Sequence, residues 1–445
     1  MPQILKNFII IFNDISINSI KMIKSLFFSL SLIAFTLVQL SSNGQIKTWT
    51  HFRGNNLDGI SSSEYAPVKW TSDSNLVWKT VIHDKGWSSP VVYGDQIWMT
   101  TAKPEGEEMY AVCVNYKTGE IIHDILLFEP DSIYRKHGLN SFATPTPAIE
   151  EGYVYAHFGR YGTACINTEN GNIIWQRTDI EFLDIQGPGS SLFLYKNLLI
   201  LHCEGIYKQY ILALDKSTGK TVWKTERPKE IYDKLEPIGK KAYITPIIIK
   251  VNGQDQLISN GSAACIAYDP NTGKEIWRVV GGIDSTISMP FSEDGLVFFY
   301  TGFKVDDDDK YAELLAVNPN GEGDIGQTNV IWRMRTPILQ LLTPLVKDGL
   351  IYTIDTKSIM MCIEAKTGEI VWSKRVKGKY NSSPVYSAGK IYFSSTQGNV
   401  IVINEGRDLD IIAENKLEGE IWTTPVILDG NILLRTSKYL YKIGS

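Results

Sequence analysis

"ALDKSTGKTVW", Ala213 to Trp223, reads as one β-hairpin. An apolar strand ends at Asp215. Four residues later stands Gly219. An Asp at that spacing accepts from the turn backbone, and the glycine supplies the positive φ that the turn requires. The next strand carries Thr, Val and Trp, which suit a half-buried sheet.

The phrase recurs along the chain. "CVNYKTGEIIH" runs 113–123, "CINTENGNIIW" 165–175, "AYDPNTGKEIW" 267–277 and "CIEAKTGEIVW" 362–372. Their glycines, 119, 171, 219, 273 and 368, lie 52, 48, 54 and 95 residues apart. The last gap is two periods. It holds "AVNPNGEGDIGQTNVIW", 316–332, a sixth copy with an enlarged turn. A fixed period of this length marks a repeat architecture.

A second phrase precedes each hairpin. It is Ser/Thr before Pro, then apolar residues: "SSPVV" at 88, "TPTPAI" at 144, "ITPIII" at 244, "SMPFS" at 288, "LTPLV" at 342, "SSPVY" at 382 and "TTPVI" at 423. "SSLFL" at 190 fills the remaining slot without Pro. A further strand such as "GDQIWMT" or "GLIYTI" lies between the two phrases. Each unit is therefore four short strands, and there are eight units. The expected fold is all-β: an eight-bladed β-propeller of four-stranded antiparallel blades. The last unit, from "TTPVI", stops one strand short. "NLVWKTVI", Asn75 to Ile82, carries the missing Trp at the other end of the sequence. Pairing of that strand into the last blade would close the ring and remove two exposed edges.

The repeat also accounts for the cysteines. Cys113, Cys165 and Cys362 occupy the slot of Ala213 and Ala267, six residues before the glycine. Cys203 and Cys265 sit in apolar strands too, so all five are expected to pack as small buried residues. His123 takes a Trp slot and is expected to pack. "VDDDDKY", around Asp306 to Lys310, lacks the alternating spacing of a calcium loop and is expected to be solvated.

Residues 22–45, "MIKSLFFSLSLIAFTLVQLSSNGQ", combine one early Lys, an apolar run and small polar residues. This is the pattern of a secretory signal peptide, expected over 1–44 with 1–21 an upstream extension. No Cys follows the run, so no lipid or other membrane anchor is expected. The propeller is expected over 75–445, and 45–74 is expected to be a latch segment. Removal of 1–44 takes away Lys6, Lys21, Lys24 and Asp14, which moves the formal charge from −5 to −5 − 2 = −7. An acidic protein is not a natural nucleic-acid binder. A periplasmic or secreted monomer is expected.

The phrase A-x-D-x-x-T-G-K/E-x-x-W resembles the repeat of pyrroloquinoline-quinone (PQQ)-type propellers, and "ALDKSTGKTVW" and "AYDPNTGKEIW" match it almost residue for residue. The opening "WTHFRGNNLDG", with "VKW", "NLVWK" and "SSPVV" after it, resembles the start of exported PQQ-binding-like β-propeller repeat proteins. The resemblance implies a ring that serves either quinoprotein dehydrogenases or an outer-membrane assembly scaffold. The enzyme branch implies Ca²⁺ held by carboxylate and Asn, a catalytic Asp, an adjacent Cys pair and a Trp floor. No two cysteines are adjacent here.

A propeller meets ligands where its inner strands begin. That places Trp87, Asn140, Gln186, Tyr243, Gln340, Tyr380, Asn381 and Trp422 at the channel mouth. Arg135 and His137 lie on the loop into the second blade. Aromatics beside amides suit a polar ligand such as a sugar, or a protein loop. The expected function is non-enzymatic recognition of a protein or carbohydrate ligand at this mouth, with no catalytic or metal-ligating residue and no cofactor. The alternatives are a PQQ- and calcium-dependent dehydrogenase of alcohols or aldoses, and an outer-membrane protein assembly factor. "WTHFRGNNLDGISS", 49–62, is expected to lie against the last blade or run beneath it, with Trp49 and Phe52 as anchors and Arg53 as an ion pair or carbonyl clamp.

Overall fold

The computed structural model describes residues 46–71, 74–306, 309–336 and 341–444. The expected signal peptide and Asp307–Asp308 of the acidic run lie outside these residues. Eight antiparallel sheets follow one another along the chain. Their inner strands are Val91–Tyr93, Ala148–Glu150, Phe193–Tyr195, Ile247–Val251, Phe291–Glu293, Leu345–Lys347, Val385–Ser387 and Val426–Leu428. These define blades 1 to 8 of a β-propeller. The closing strand behaves as expected: Leu76–Val81 pairs antiparallel with Tyr439–Ile443 as the outer strand of blade 8.

The hairpin phrase ties each blade to its neighbour. The Asp215 carboxylate accepts from the backbone N–H of Ser217 and Thr218, and Asp269 does the same for Asn271 and Thr272. The glycine sits at positive φ, +71° at both Gly219 and Gly273. Its missing side chain leaves room for the Trp of the preceding blade. A Cβ on Gly273 would stand 2.5 Å from the Trp223 ring. That indole also donates to the Pro270 carbonyl at 3.2 Å. Trp78, Trp175, Trp332 and Trp372 donate in the same way to Tyr116, Lys216, Ala365 and Gly406 of the following blades. Asp, Gly and Trp thus belong to one inter-blade joint.

Opposite five of the outer-strand Trp residues the register puts a small residue: Cys165 faces Trp175, Ala213 faces Trp223, Ala267 faces Trp277, Ala316 faces Trp332 and Cys362 faces Trp372, whereas Trp78 of the closing strand faces Lys442. All five cysteines are free and buried. His123 stacks on Trp98 with ring centroids 5.6 Å apart and lies against Gly171 of blade 2, so it packs in the Trp position. Blade 4 departs from the pattern. Trp277 donates to Gln256 of its own blade, because the enlarged turn of blade 5 lays Gly323–Asp324 alongside its outer strand.

Candidate functional site

The Ser/Thr-Pro phrase builds the channel wall. In it, the N–H of one blade donates to a hydroxyl of the next. Ser89 N–H donates to Thr146 Oγ1 (3.0 Å), Thr146 to Ser191 Oγ (2.9 Å) and Ser191 to Thr245 Oγ1 (3.1 Å). Met289 donates to Thr343 Oγ1 (3.0 Å), Thr343 to Ser383 Oγ (3.0 Å), Ser383 to Thr424 Oγ1 (3.3 Å), and Thr424 to Ser89 Oγ (3.0 Å). Except after Ser191, which Leu192 follows, the next residue is a Pro that has no N–H to satisfy and holds the residue before it extended, which aims these groups around the ring. The belt breaks once among the described residues: Met289 has no hydroxyl to offer the Thr245 N–H.

One end of this channel is stoppered by the chain itself. Residues 47–61 cross it and tie to nearly every blade. Thr48–Trp49 pairs with the inner strand of blade 1. The Thr50 carbonyl accepts from Ile149 of blade 2 at 3.0 Å, and His51 Nε2 accepts from Leu194 of blade 3 at 3.0 Å. Leu57 and Phe52 pack into the apolar seam of blades 3 to 5. Arg53 is fully buried; Nη1 donates to Thr343 O (2.7 Å), and Nη2 donates to Pro344 O (2.9 Å) and Asp58 O (2.8 Å). Gly59 and Ser61 exchange backbone bonds with Tyr386 of blade 7, and Ser61 Oγ donates to Ile427 O of blade 8 at 2.6 Å. The stretch expected to lie against the last blade or run beneath it does touch blade 8, through Trp49 and Ser61, but crosses the axis between those contacts. Trp49 is an anchor and Arg53 a carbonyl clamp, as expected.

Burial sets the protonation of this plug. It lowers the Arg53 guanidinium from 12.5 to about 10, with Asp58 partly opposing the shift. It lowers His51 to about 4, so the ring is neutral. Nε2 accepts from Leu194, so Nδ1 carries the proton and donates to Thr50 Oγ1 at 2.8 Å.

With one end closed, the channel is a cup of about 420 Å³ with Phe52 at its floor. Trp87, His137, Asn140, Gln186, Tyr243, Asn381 and Trp422 all line it. Two other predicted residues stand apart. Arg135 is exposed and does not line the cup. Tyr380 is buried and donates to Lys377 O at 2.8 Å instead, because its ring fills the core between blades 6 and 7. Gln340 lies outside the described residues. Asn140 proves to be a loop tie: Nδ2 donates to Gln186 O and Pro188 O, and Oδ1 accepts from Ser141 and Thr144. Sequence reasoning missed Lys241, whose Nζ donates to Asp284 Oδ1 at 2.9 Å. Burial raises the Asp284 carboxyl, but Lys241 and Ser285 outweigh it and hold the group below the usual carboxylate range.

The cup does not fit a calcium-bound quinone. Asp284 is the one carboxylate lining it among the described residues, and Lys241 and Ser285 already occupy its Oδ1. Among those residues no group of three or more His, Cys, Asp and Glu is placed to hold a metal ion. The floor is Phe52 rather than Trp.

Eight four-stranded blades around an axial cup define an eight-bladed β-propeller of the PQQ-like repeat class. Three overlapping stretches, 86–225, 207–325 and 323–424, match the family described as outer membrane protein assembly factor BamB, and the chain belongs to it. It is 22% identical to the outer membrane protein assembly factor BamB of Yersinia pestis over 54% of this chain and 70% of that protein. Among solved structures it resembles BamB from Moraxella catarrhalis, with a TM-score of 0.56 and 13% identity over 83% of this chain and 97% of that one. It also resembles the quinohemoprotein alcohol dehydrogenase from Comamonas testosteroni, with a TM-score of 0.64 and 12% identity over 89% and 80%. At such identities the structural likeness concerns the fold alone. Among the described residues no helix is long and apolar enough to cross a membrane.

Proposed function

We propose that this chain is an exported, non-enzymatic binding module that receives part of a protein or a glycan in its axial cup. The observation that carries this is the plug, which turns a through-channel into a cup with one mouth. The belt hydroxyls of its wall are held by N–H groups of the neighbouring blades, and Ser285, whose hydroxyl donates to Asp284, meets a carboxylate that Lys241 holds below the usual range and so a weak base. The assembly role in the family's name is a scaffold role of the same kind. The dehydrogenase alternative receives no step here, because the donor set does not fit the quinone and its calcium.

Two measurements test this. Purified protein supplied with PQQ, Ca²⁺ and an electron-accepting dye is expected to show no turnover of alcohols or aldoses; turnover sinks the proposal. Capture of a ligand from envelope extracts is expected to weaken in Trp422→Ala. Equal capture by both forms would place binding elsewhere.

A further inference from the structure

We infer that the cup takes the uncharged terminal ring of a saccharide, end-on. This rests on the cup being a binding site. Because the plug blocks the far end, a polymer cannot thread the channel, and only a chain end enters.

The wall has the parts that such an end needs. Trp422 stacks on Trp87 with ring centroids 5.1 Å apart and planes 16° from parallel. Both indole N–H groups are occupied, Trp87 by Leu139 O at 3.2 Å and Trp422 by Glu420 Oε2 at 3.0 Å. Lys85 Nζ sits over the Trp87 ring, 5.0 Å from its centroid. Trp422 is thus left with a flat apolar face, which complements the C–H face of a pyranose.

The side-chain amides of Gln186 and Asn381 line the cup without a partner among the described residues. The buried hydroxyl of Tyr243 lies beside the Gln186 backbone and keeps its own proton to donate. Each amide offers two donors and an acceptor, the combination that a ring hydroxyl pair uses. The charged pair in the lining favours a neutral guest: Lys241 and Asp284 are paired at 2.9 Å, so neither stands free to bind a uronate or sulfate. The volume, about 420 Å³, lies within the usual range for small-molecule sites, about 300–1,000 Å³.

The test titrates the described chain, calorimetrically and by Trp fluorescence, with neutral mono-, di- and hexasaccharides of glucose, galactose, mannose and N-acetylglucosamine. Glucuronate-terminated analogues and a cyclic glucose oligosaccharide are the controls. At least one neutral series is expected to bind with one site per chain. Its hexasaccharide should bind about as tightly as its disaccharide. The charged and cyclic controls should be about tenfold weaker or silent. Trp422→Ala and Gln186→Ala should each weaken binding about tenfold, the loss expected from one stacking or polar contact. Binding that ignores Trp422→Ala, or a cyclic ligand that binds as well as the linear one, overturns end-on recognition. If no neutral sugar binds while a peptide panel binds wild type and not Trp422→Ala, the saccharide inference falls and the binding module stands. Quinone-dependent turnover would remove both.

Discussion

Arg53→Met tests whether charge holds the plug. The buried guanidinium makes three bonds to carbonyls, at 2.7, 2.8 and 2.9 Å. A hydrogen bond from a charged donor contributes about 1.5–3 kcal/mol, so three contribute roughly 5–9 kcal/mol. Desolvation offsets part of this. The fall of the guanidinium from 12.5 to about 10 corresponds to about 3 kcal/mol. The difference favours the arginine by roughly 2–6 kcal/mol. Met retains the apolar stem and leaves the Thr343, Pro344 and Asp58 carbonyls without their donor. Urea unfolding of Arg53→Met is therefore expected to show a loss of that size, with unchanged denaturant sensitivity. Hydrogen exchange should quicken first at the Ser61 and Tyr386 amides, which join the plug to blade 7. A loss below about 1 kcal/mol, or exchange that quickens equally in the outer strands, would refute the clamp.

Three further outcomes follow from the joints. Gly273→Ala places a Cβ 2.5 Å from the Trp223 ring at a φ of +71°, whereas Gly253→Ala at +82° meets nothing within 4 Å. The first should lose clearly more stability than the second, which bears only backbone strain of about 1–2 kcal/mol; equal thermal shifts would deny the Trp–Gly joint. Thr146→Val removes the acceptor of the Ser89 N–H and should lose about 1–3 kcal/mol in urea unfolding, while a neutral result would leave the belt without energetic weight. His51 titrates at about 4 in the fold and near 6.5 unfolded, so its contribution is present above pH 6.5 and is lost as pH falls toward 4. The stability gap between wild type and His51→Gln, read from melts at pH 7 and 4.5, should narrow at the lower pH; a constant gap would mean that the folded ring titrates as the unfolded one does, and a widening gap that the fold favours its charged form.

Much of the ring was legible because each blade repeats one physical joint. An Asp–Gly turn and a Trp share each short phrase, so periodicity revealed these residues, though each Trp docks on the turn of the following blade, as Trp223 does on Gly273. The Ser/Thr-Pro phrase was equally visible, but its role was not. Ser89 and Thr146 are 57 residues apart, and only the closed ring brings them together. The plug was misplaced for a different reason. The closing strand does lie at the rim, yet the dozen residues between Ser62 and Asn75 can span about 40 Å extended, enough to return to the axis. No local pattern tells a segment at the rim from one at the axis. Trp87, Gln186, Asn381 and Trp422 were found because inner strands begin at predictable places. Lys241 and Asp284 were not paired, because they come from loops of different blades.

The gap in the belt between Thr245 and Met289 bears on how this molecule could be divided. A chain cut in the loop just before blade 5, near Gly282, would give two fragments with four inner strands each. The first fragment would still own the outer strand of blade 8, Leu76–Val81, and the whole of the plug. Each half would therefore be incomplete in a way that only the other can repair. The missing strand and the arginine would fix the orientation of their union, and the cut itself would sever no hydroxyl bond of the belt. The ring is thus laid out as two halves of four inner strands each, joined by the closing strand and the plug.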